Sequence, residues 1–284
     1  MGTDVIWFDI HGRINTRCSA GVYYNYYTDP AGTSRVASSP VDAPGYKADL
    51  DVMTSLRRVV IVTLSFIALP APGKSTTAGE VQMAKDTLVD QVNALWNQRR
   101  LRMKVFALDA SGHPLAGAER SLNVQFRVKW VTFGGDYVLY VYPTPNDLPN
   151  SPGRPDRPPF VTGGIGSGRI EMHIAATTPA WTYSHEFGHC IGLPDEYNHP
   201  GVQYLRPAVV AGMLLQRPGA YIPDNQKGAV HGGVRDPDLR TAMSTNPNIH
   251  LMPRHLWPTA IEVRKLLNRH SRRHKFGVDV DFAR

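Results

Sequence analysis

The chain has 284 residues and is basic, with 31 Lys and Arg against 24 Asp and Glu, a net charge of +7 and a pI near 9.5. Hydrophobic residues make up 42% and charged residues 19%, which excludes a disordered chain and provides core enough for one large domain or two small ones. Cys18 and Cys190 are the only cysteines, which excludes a disulfide-stapled scaffold. The basic excess gathers in Arg264 to Lys275, and no aromatic residues interleave with it, so nucleic-acid binding is not expected.

Residues 1–55 carry weak patterns. Val5–Ile10 and Gly21–Tyr27 read as strands, and residues 28–48, rich in Ser, Pro, Ala and Gly, read as loop. The segment is expected to pack as an N-terminal extension on a domain spanning 56–284, divided into an upper part (56–192) and a lower part (193–284). No signal peptide opens the chain, and its abrupt, structured-looking start suits a piece of something longer. Val59–Leu69 follows two arginines and mimics a signal peptide. It is internal, too short to span a bilayer and β-branched, so a buried strand over 58–69 is the better reading.

Thr77-Ala78-Gly79-Glu80 has the form of a capping box, and Val81, Ala84, Leu88, Val92 and Leu95 continue it as an amphipathic helix over 78–98. Leu101–Leu108, Leu122–Val131 and Tyr137–Tyr142 read as strands, with a turn at Asp109–Gly112. Strand, helix, strand in succession predicts a parallel, right-handed crossover. Residues 143–168 form a long Pro- and Gly-rich loop. Its GGIGSG lacks a following lysine and helix, so the rim of a cleft suits it better than a phosphate loop. Ile170–Ile174 reads as a short strand at the sheet edge, where an extended peptide can add by main-chain pairing.

Residues 181–197, WTYSHEFGHCIGLPDEY, carry the chemistry. Thr178 is placed to cap a helix that Pro179 opens. On that helix His185 and His189 lie four residues apart on one face, where one cation can bridge two imidazoles. Zinc suits such ligands, and Glu186 beside them is the general base of the HExxH motif. Tyr183, Phe187 and Ile191 form the opposite, sheet-facing stripe. Gly192 can bend the chain back through a left-handed conformation and Pro194 ends the helix, which returns Asp195 as third ligand. Glu196, His231 and Glu262 remain alternative third ligands. Cys190 reads as a small buried side chain. Cys18 reads either as an ordinary cysteine or as a thiolate that covers the zinc and holds the enzyme latent.

Beyond Tyr197 the chain reads as irregular to about residue 240, with a short helix inside Leu205–Leu215. A turn follows at Thr241–Thr245. Pro258 opens a helix through Arg269 with Ile261, Leu266 and Leu267 inward. His250 and His255 are placed to line a specificity pocket or to sit in solvent. There is no internal repeat.

This order of elements, with HExxHxxGxxD, resembles the metzincin clan of zinc endopeptidases over residues 56–270. The resemblance implies an α+β fold: a twisted mixed sheet with an α/β-type N-terminal subdomain, an active-site helix, and an irregular and helical C-terminal subdomain. It also implies a methionine turn beneath the metal, matched by Met243 and less well by Met213. Most of the clan uses histidine as third ligand, where this chain offers Asp195. HEFGH with a downstream DEY also resembles the metallopeptidase domains carried as toxic extensions on bacterial type VI secretion spike proteins. That implies a secreted or injected effector acting in a target-cell periplasm, with the spike as the rest of the same chain.

The expected activity is peptide-bond hydrolysis of a protein or peptide substrate. Zinc, held by His185, His189 and Asp195, activates a water, and Glu186 takes and returns the proton. Tyr197 either hydrogen-bonds the oxyanion or packs behind Asp195. The alternative is a latent or non-catalytic zinc-binding module. No membrane insertion is expected.

Overall fold

The structure is a computed structural model that describes residues 13–20, 27–28, 46–54, 57–97, 101–150, 158–163, 169–193, 203–204, 242–243, 251, 253–271 and 273–282. The strands expected at Val5–Ile10 and over most of Gly21–Tyr27, and the helix within Leu205–Leu215, lie outside these residues.

The strands are β1 (Arg13–Ala20), β2 (Tyr27–Thr28), β3 (Tyr46–Met53), β4 (Val59–Pro70), β5 (Leu101–Leu108), β6 (Pro114–Trp130), β7 (Tyr137–Tyr142), β8 (Phe160–Gly163), β9 (Ile170–Ala175), β10 (Gln203–Tyr204) and β11 (Lys275–Phe282). The helices are α1 (Ala78–Gln91), α2 (Ala180–Cys190) and α3 (Trp257–His270). Strands and helices share one mixed α+β architecture. Among the described residues the main sheet has nine strands in the order β11-β5-β6-β4-β7-β9-β8, with the β1–β3 pair joined to β4. β2 and β10 form a separate antiparallel pair.

The run that mimics a signal peptide is the centre of this sheet. β4 alternates so that Val60, Val62, Leu64 and Phe66 enter the main core. One side of β4 pairs with β6 over Val59–Phe66, while the other pairs first with β3 and then, from Phe66 on, with β7. The chain must therefore cross from β6 to β7 over the face of β4. Gly135 makes the crossing: a Cβ there would stand 2.9 Å from Ile67 Cγ1 and 3.2 Å from Ile67 N. The rings of Trp130 and Tyr137 flank Phe66 at 5.8 and 4.8 Å on either side of the crossing.

α1 begins with the expected capping box, in which Thr77 Oγ1 accepts from Glu80 N and Glu80 Oε2 accepts from Thr77 N. It runs on into one π-helical turn, Val92–Trp96. Asn97 then pins the helix end to β6, donating to Phe126 O and accepting from Phe126 N. Asn268 makes the same two-pronged contact from α3 to Phe276 of β11.

Two expectations about the sheet are corrected. The strand after α1 is not a parallel partner of β4: β5 turns back at Asp109–Gly112 as an antiparallel hairpin with β6, and β6 is the parallel neighbour of β4. β9 is not at the edge: β8, from the stretch read as loop, lies outside it and pairs antiparallel. The chain also continues past the basic run into β11, which pairs with β5 at the opposite end of the sheet.

α1 and α2 cover the sheet face that carries Leu64, Leu139, Val141, Met172 and Ile174, and they add Ala84, Leu88, Tyr183 and Phe187 to the same core. The sheet thus places α2 directly after β9, buried on both its sides. Among the described residues no helix is long and apolar enough to cross a membrane.

Candidate metal centre

α2 starts differently from expectation. Pro179 is its N-cap and no side chain caps it. The Thr178 hydroxyl is used by the preceding turn instead, accepting from Ala175 N at 3.1 Å, while Thr178 N donates to Ala175 O. The end of the helix is as the glycine implies. Gly192 has φ 86°, Gly192 N donates to His189 O, and Leu193 N donates to Gly188 O. These two bonds form a Schellman motif, which satisfies the last carbonyls and folds the chain back.

His185, Glu186 and His189 are all buried, at 6%, 3% and 5% exposure. The two imidazoles stand 4.9 Å apart between centroids, with ring planes at 88°. His189 Nδ1 lies 2.7 Å from Leu193 O, the carbonyl that the bend turns back. His185 Nδ1 lies 3.2 Å from Ala242 O, far along the chain. A carbonyl oxygen only accepts, so each Nδ1 carries a proton and donates it to that carbonyl. Metal-ligating histidines are oriented and tuned in this way by a carbonyl on the second nitrogen.

Met243 is fully buried, one residue past the carbonyl that orients His185. It packs against α2 at Gly188, where a Cβ would stand 2.1 Å from Met243 Sδ, 3.0 Å from its Cε and 3.3 Å from Trp96 Cζ2. Gly188, inside the HEFGH sequence, is thus the gap that admits the methionine. Trp96, at the end of the π turn, donates from Nε1 to Ser184 O at 3.0 Å and contacts the rings of Phe126 and Phe187. Neither Trp96 nor the π turn carried a sequence signal. Tyr183 and Phe187 add further core contacts from α2, and burial pushes the pKa of the Tyr183 hydroxyl up to about 12.

Cys190 is a buried free thiol whose pKa is pushed well above the ordinary range, first by burial and then by the charge of Glu186. It stays protonated and serves as packing. Its carbonyl accepts from the Tyr137 hydroxyl at 2.7 Å, and the Tyr137 hydroxyl in turn accepts from Lys47 N, which ties the end of α2 to β3. The backbone of Cys18 is fixed in β1 opposite Ala48. Its side chain lies outside the described residues.

Asp195, Glu196, Tyr197, Met213, His231 and His250 also lie outside them. Among the described residues no three His, Cys, Asp or Glu side chains converge. Glu262 is not brought to the histidines; it sits on α3 with Lys265 Nζ 2.7 Å from its Oε1. His255 neither lines an open pocket nor meets solvent: it is fully buried, with its ring 6.3 Å from that of Trp96.

The residues fit zinc in part: two imidazoles in ring contact, each backed by a carbonyl on Nδ1, with a buried glutamate at the next helix position after the first. No protein-family model matches the chain, and neither a curated protein nor a solved structure matches it.

Proposed function

We propose that the protein is a zinc-dependent endopeptidase of metzincin-like design, in which His185 and His189 bind the metal through Nε2 and Glu186 is the general base. The observation that carries this reading is the pairing of both Nδ1 atoms with backbone carbonyls. A structural histidine can use either nitrogen for a core hydrogen bond. Two histidines one turn apart, each held through Nδ1 by a backbone carbonyl, are oriented as metal-binding imidazoles are. Asp195 is the proposed third ligand, returned by the bend at Gly192.

When bound, zinc supplies a Lewis acid that polarises a carbonyl and brings the pKa of water from about 15.7 to near 7. The rest of the work falls to side chains. Glu186, held on α2 next to His185, takes the proton of the attacking water on its carboxylate and passes it to the leaving amine. Burial around the two histidines excludes bulk water and strengthens every charge interaction there. Met243 and Trp96 form the floor on which α2 rests, so the imidazoles keep their place through the reaction.

The sheet adds a way to hold the substrate. Among the described residues β8 is the outermost strand; it runs antiparallel to β9, and α2 lies against it. Among the described residues it pairs with β9 alone. An extended peptide added along its outer edge gains main-chain hydrogen bonds with little demand on sequence.

Cleavage of unfolded casein, with and without added zinc, tests the reading. The wild-type chain cleaves it and loses activity with a chelator. Glu186→Gln retains zinc and loses about 10²–10⁴-fold in kcat, the range of general-base catalysis. Full activity in Glu186→Gln, or zinc binding with no cleavage of any unfolded protein, contradicts it; the second outcome indicates a non-catalytic zinc-binding module.

A further inference from the structure

The zinc-helix face of the sheet accounts for one set of buried polar groups. A second set lies on the opposite face and has no part in that chemistry. β7, β9 and β8 place Tyr140, His173 and Phe160 side by side in register. The three rings form a row across the strands. His173 stacks on Phe160 at 4.5 Å and 13°, and on Tyr140 at 5.4 Å and 29°. It is 7% exposed.

The ring is also fixed in its own plane. Its Nε2 lies 3.3 Å from Glu171 Oε2 and its Nδ1 lies 2.9 Å from Tyr142 Oη. The carboxylate only accepts, so Nε2 carries the proton; Nδ1 then accepts from the Tyr142 hydroxyl. The titratable groups facing the ring are Glu171 on its own strand and Tyr140 and Tyr142 on β7. From β8 it meets the apolar ring of Phe160. A histidine locked by two hydrogen bonds and two stacking partners cannot rotate, so Phe160 packs on a fixed surface.

β8 has four residues. An edge strand this short opens easily unless its side chains anchor it. Two of them do. Val161 points into the core below the helices, and Phe160 points the other way onto His173. We propose that His173 is a positioning residue for substrate: clamped between Phe160 and Tyr140, it sets the place of the strand along which an extended peptide pairs beside α2. The proposal rests on the endopeptidase reading for what the strand receives, and on the ring row alone for how the strand is held.

Two measurements on His173→Ala and His173→Phe test it. Hydrogen exchange of the free protein reads the strand without any substrate. His173→Ala speeds exchange over residues 160–163 by about fivefold to tenfold, the worth of a lost ring pair, and leaves residues 181–190 unchanged. His173→Phe keeps a flat ring and stays within about twofold of wild type. Phe160→Ala reproduces the alanine variant. In casein cleavage, His173→Ala raises KM about tenfold with kcat nearly unchanged, because pairing along an edge binds substrate and transition state alike. Unchanged exchange over 160–163 overturns the proposal. So does equal loosening of 160–163 and 181–190, the mark of a merely structural residue, or a loss confined to kcat. Failure of the wild-type chain to cleave casein counts against the endopeptidase reading instead, and the exchange result still decides whether His173 holds the strand.

Discussion

His185 and His189 differ in what fixes them. The carbonyl that orients His189 belongs to the end of its own helix, held by the Schellman bonds around Gly192. The carbonyl that orients His185 comes from Ala242 and arrives only when that segment docks. Met243 docks it by filling the space at Gly188, so the two positions are coupled. Gly188→Ala gains about 1 kcal/mol of helix propensity but forces a Cβ against the Met243 sulfur, an overpacking of about 1–3 kcal/mol. The expected outcome is a net loss of stability and weaker zinc binding, with both partly restored in Gly188→Ala/Met243→Ala. Additive effects in that double-mutant cycle would show that the contact carries no coupling. His173 gives a second residue-level prediction. Burial lowers its pKa below the ordinary 6.5, against the pull of Glu171. The unfolded ring therefore takes up its proton before the folded ring does. The stabilisation is complete above the ordinary value and is lost as pH falls from there through the lower folded value. Urea midpoints at pH 7.5 and 5.0 should drop further for wild type than for His173→Phe; equal drops would remove His173 from the acid sensitivity.

At the scale of elements, the central strand, α1, the hairpin turn and α2 were legible because each carries its own local signal: a β-branched run, a capping box, an Asp-to-Gly turn, an apolar stripe that ends in glycine. β8 and β11 were not. Phe160–Gly163 is too short for alternation to register and sits among prolines and glycines, and it is a strand because β9 supplies its partner. Lys275–Phe282 follows a basic run that reads as solvated helix end and tail, and β5 at the far edge supplies its partner. Strand order was hidden for the same reason. A strand–helix–strand succession implies a parallel crossover only when nothing inserts, and here β6 does. The crossing over β4 offers a test independent of the metal. Gly135→Ala sets a Cβ against the backbone and side chain of Ile67, which should cost about 1–3 kcal/mol of stability and leave zinc affinity unchanged. A neutral Gly135→Ala in urea denaturation would mean that the chain crosses further from the sheet.

For the whole molecule, the sheet is a frame with work on both faces. One face carries α1 and α2 with the two histidines; the other carries the ring row that backs the edge strand. The approach of His185 to His189 was legible because the helix period alone sets it. The support beneath it was not: Trp96, Ala242 and Tyr137 reach α2 from the π turn, the segment at 242–243 and β7, and only folding brings them there. The same frame makes metal binding a test of the fold. A ligand that binds only the folded chain stabilises it by about 4 kcal/mol at a thousand times its Kd, so zinc should raise the unfolding temperature in wild type and not in His185→Ala/His189→Ala. X-ray absorption at the zinc edge tests the central claim most directly. After zinc saturation and removal of excess, the wild-type chain should retain one equivalent of zinc with the scattering signature of two imidazoles, and His185→Ala/His189→Ala should retain none. A wild-type chain without zinc, or the same spectrum from the double variant, would contradict it.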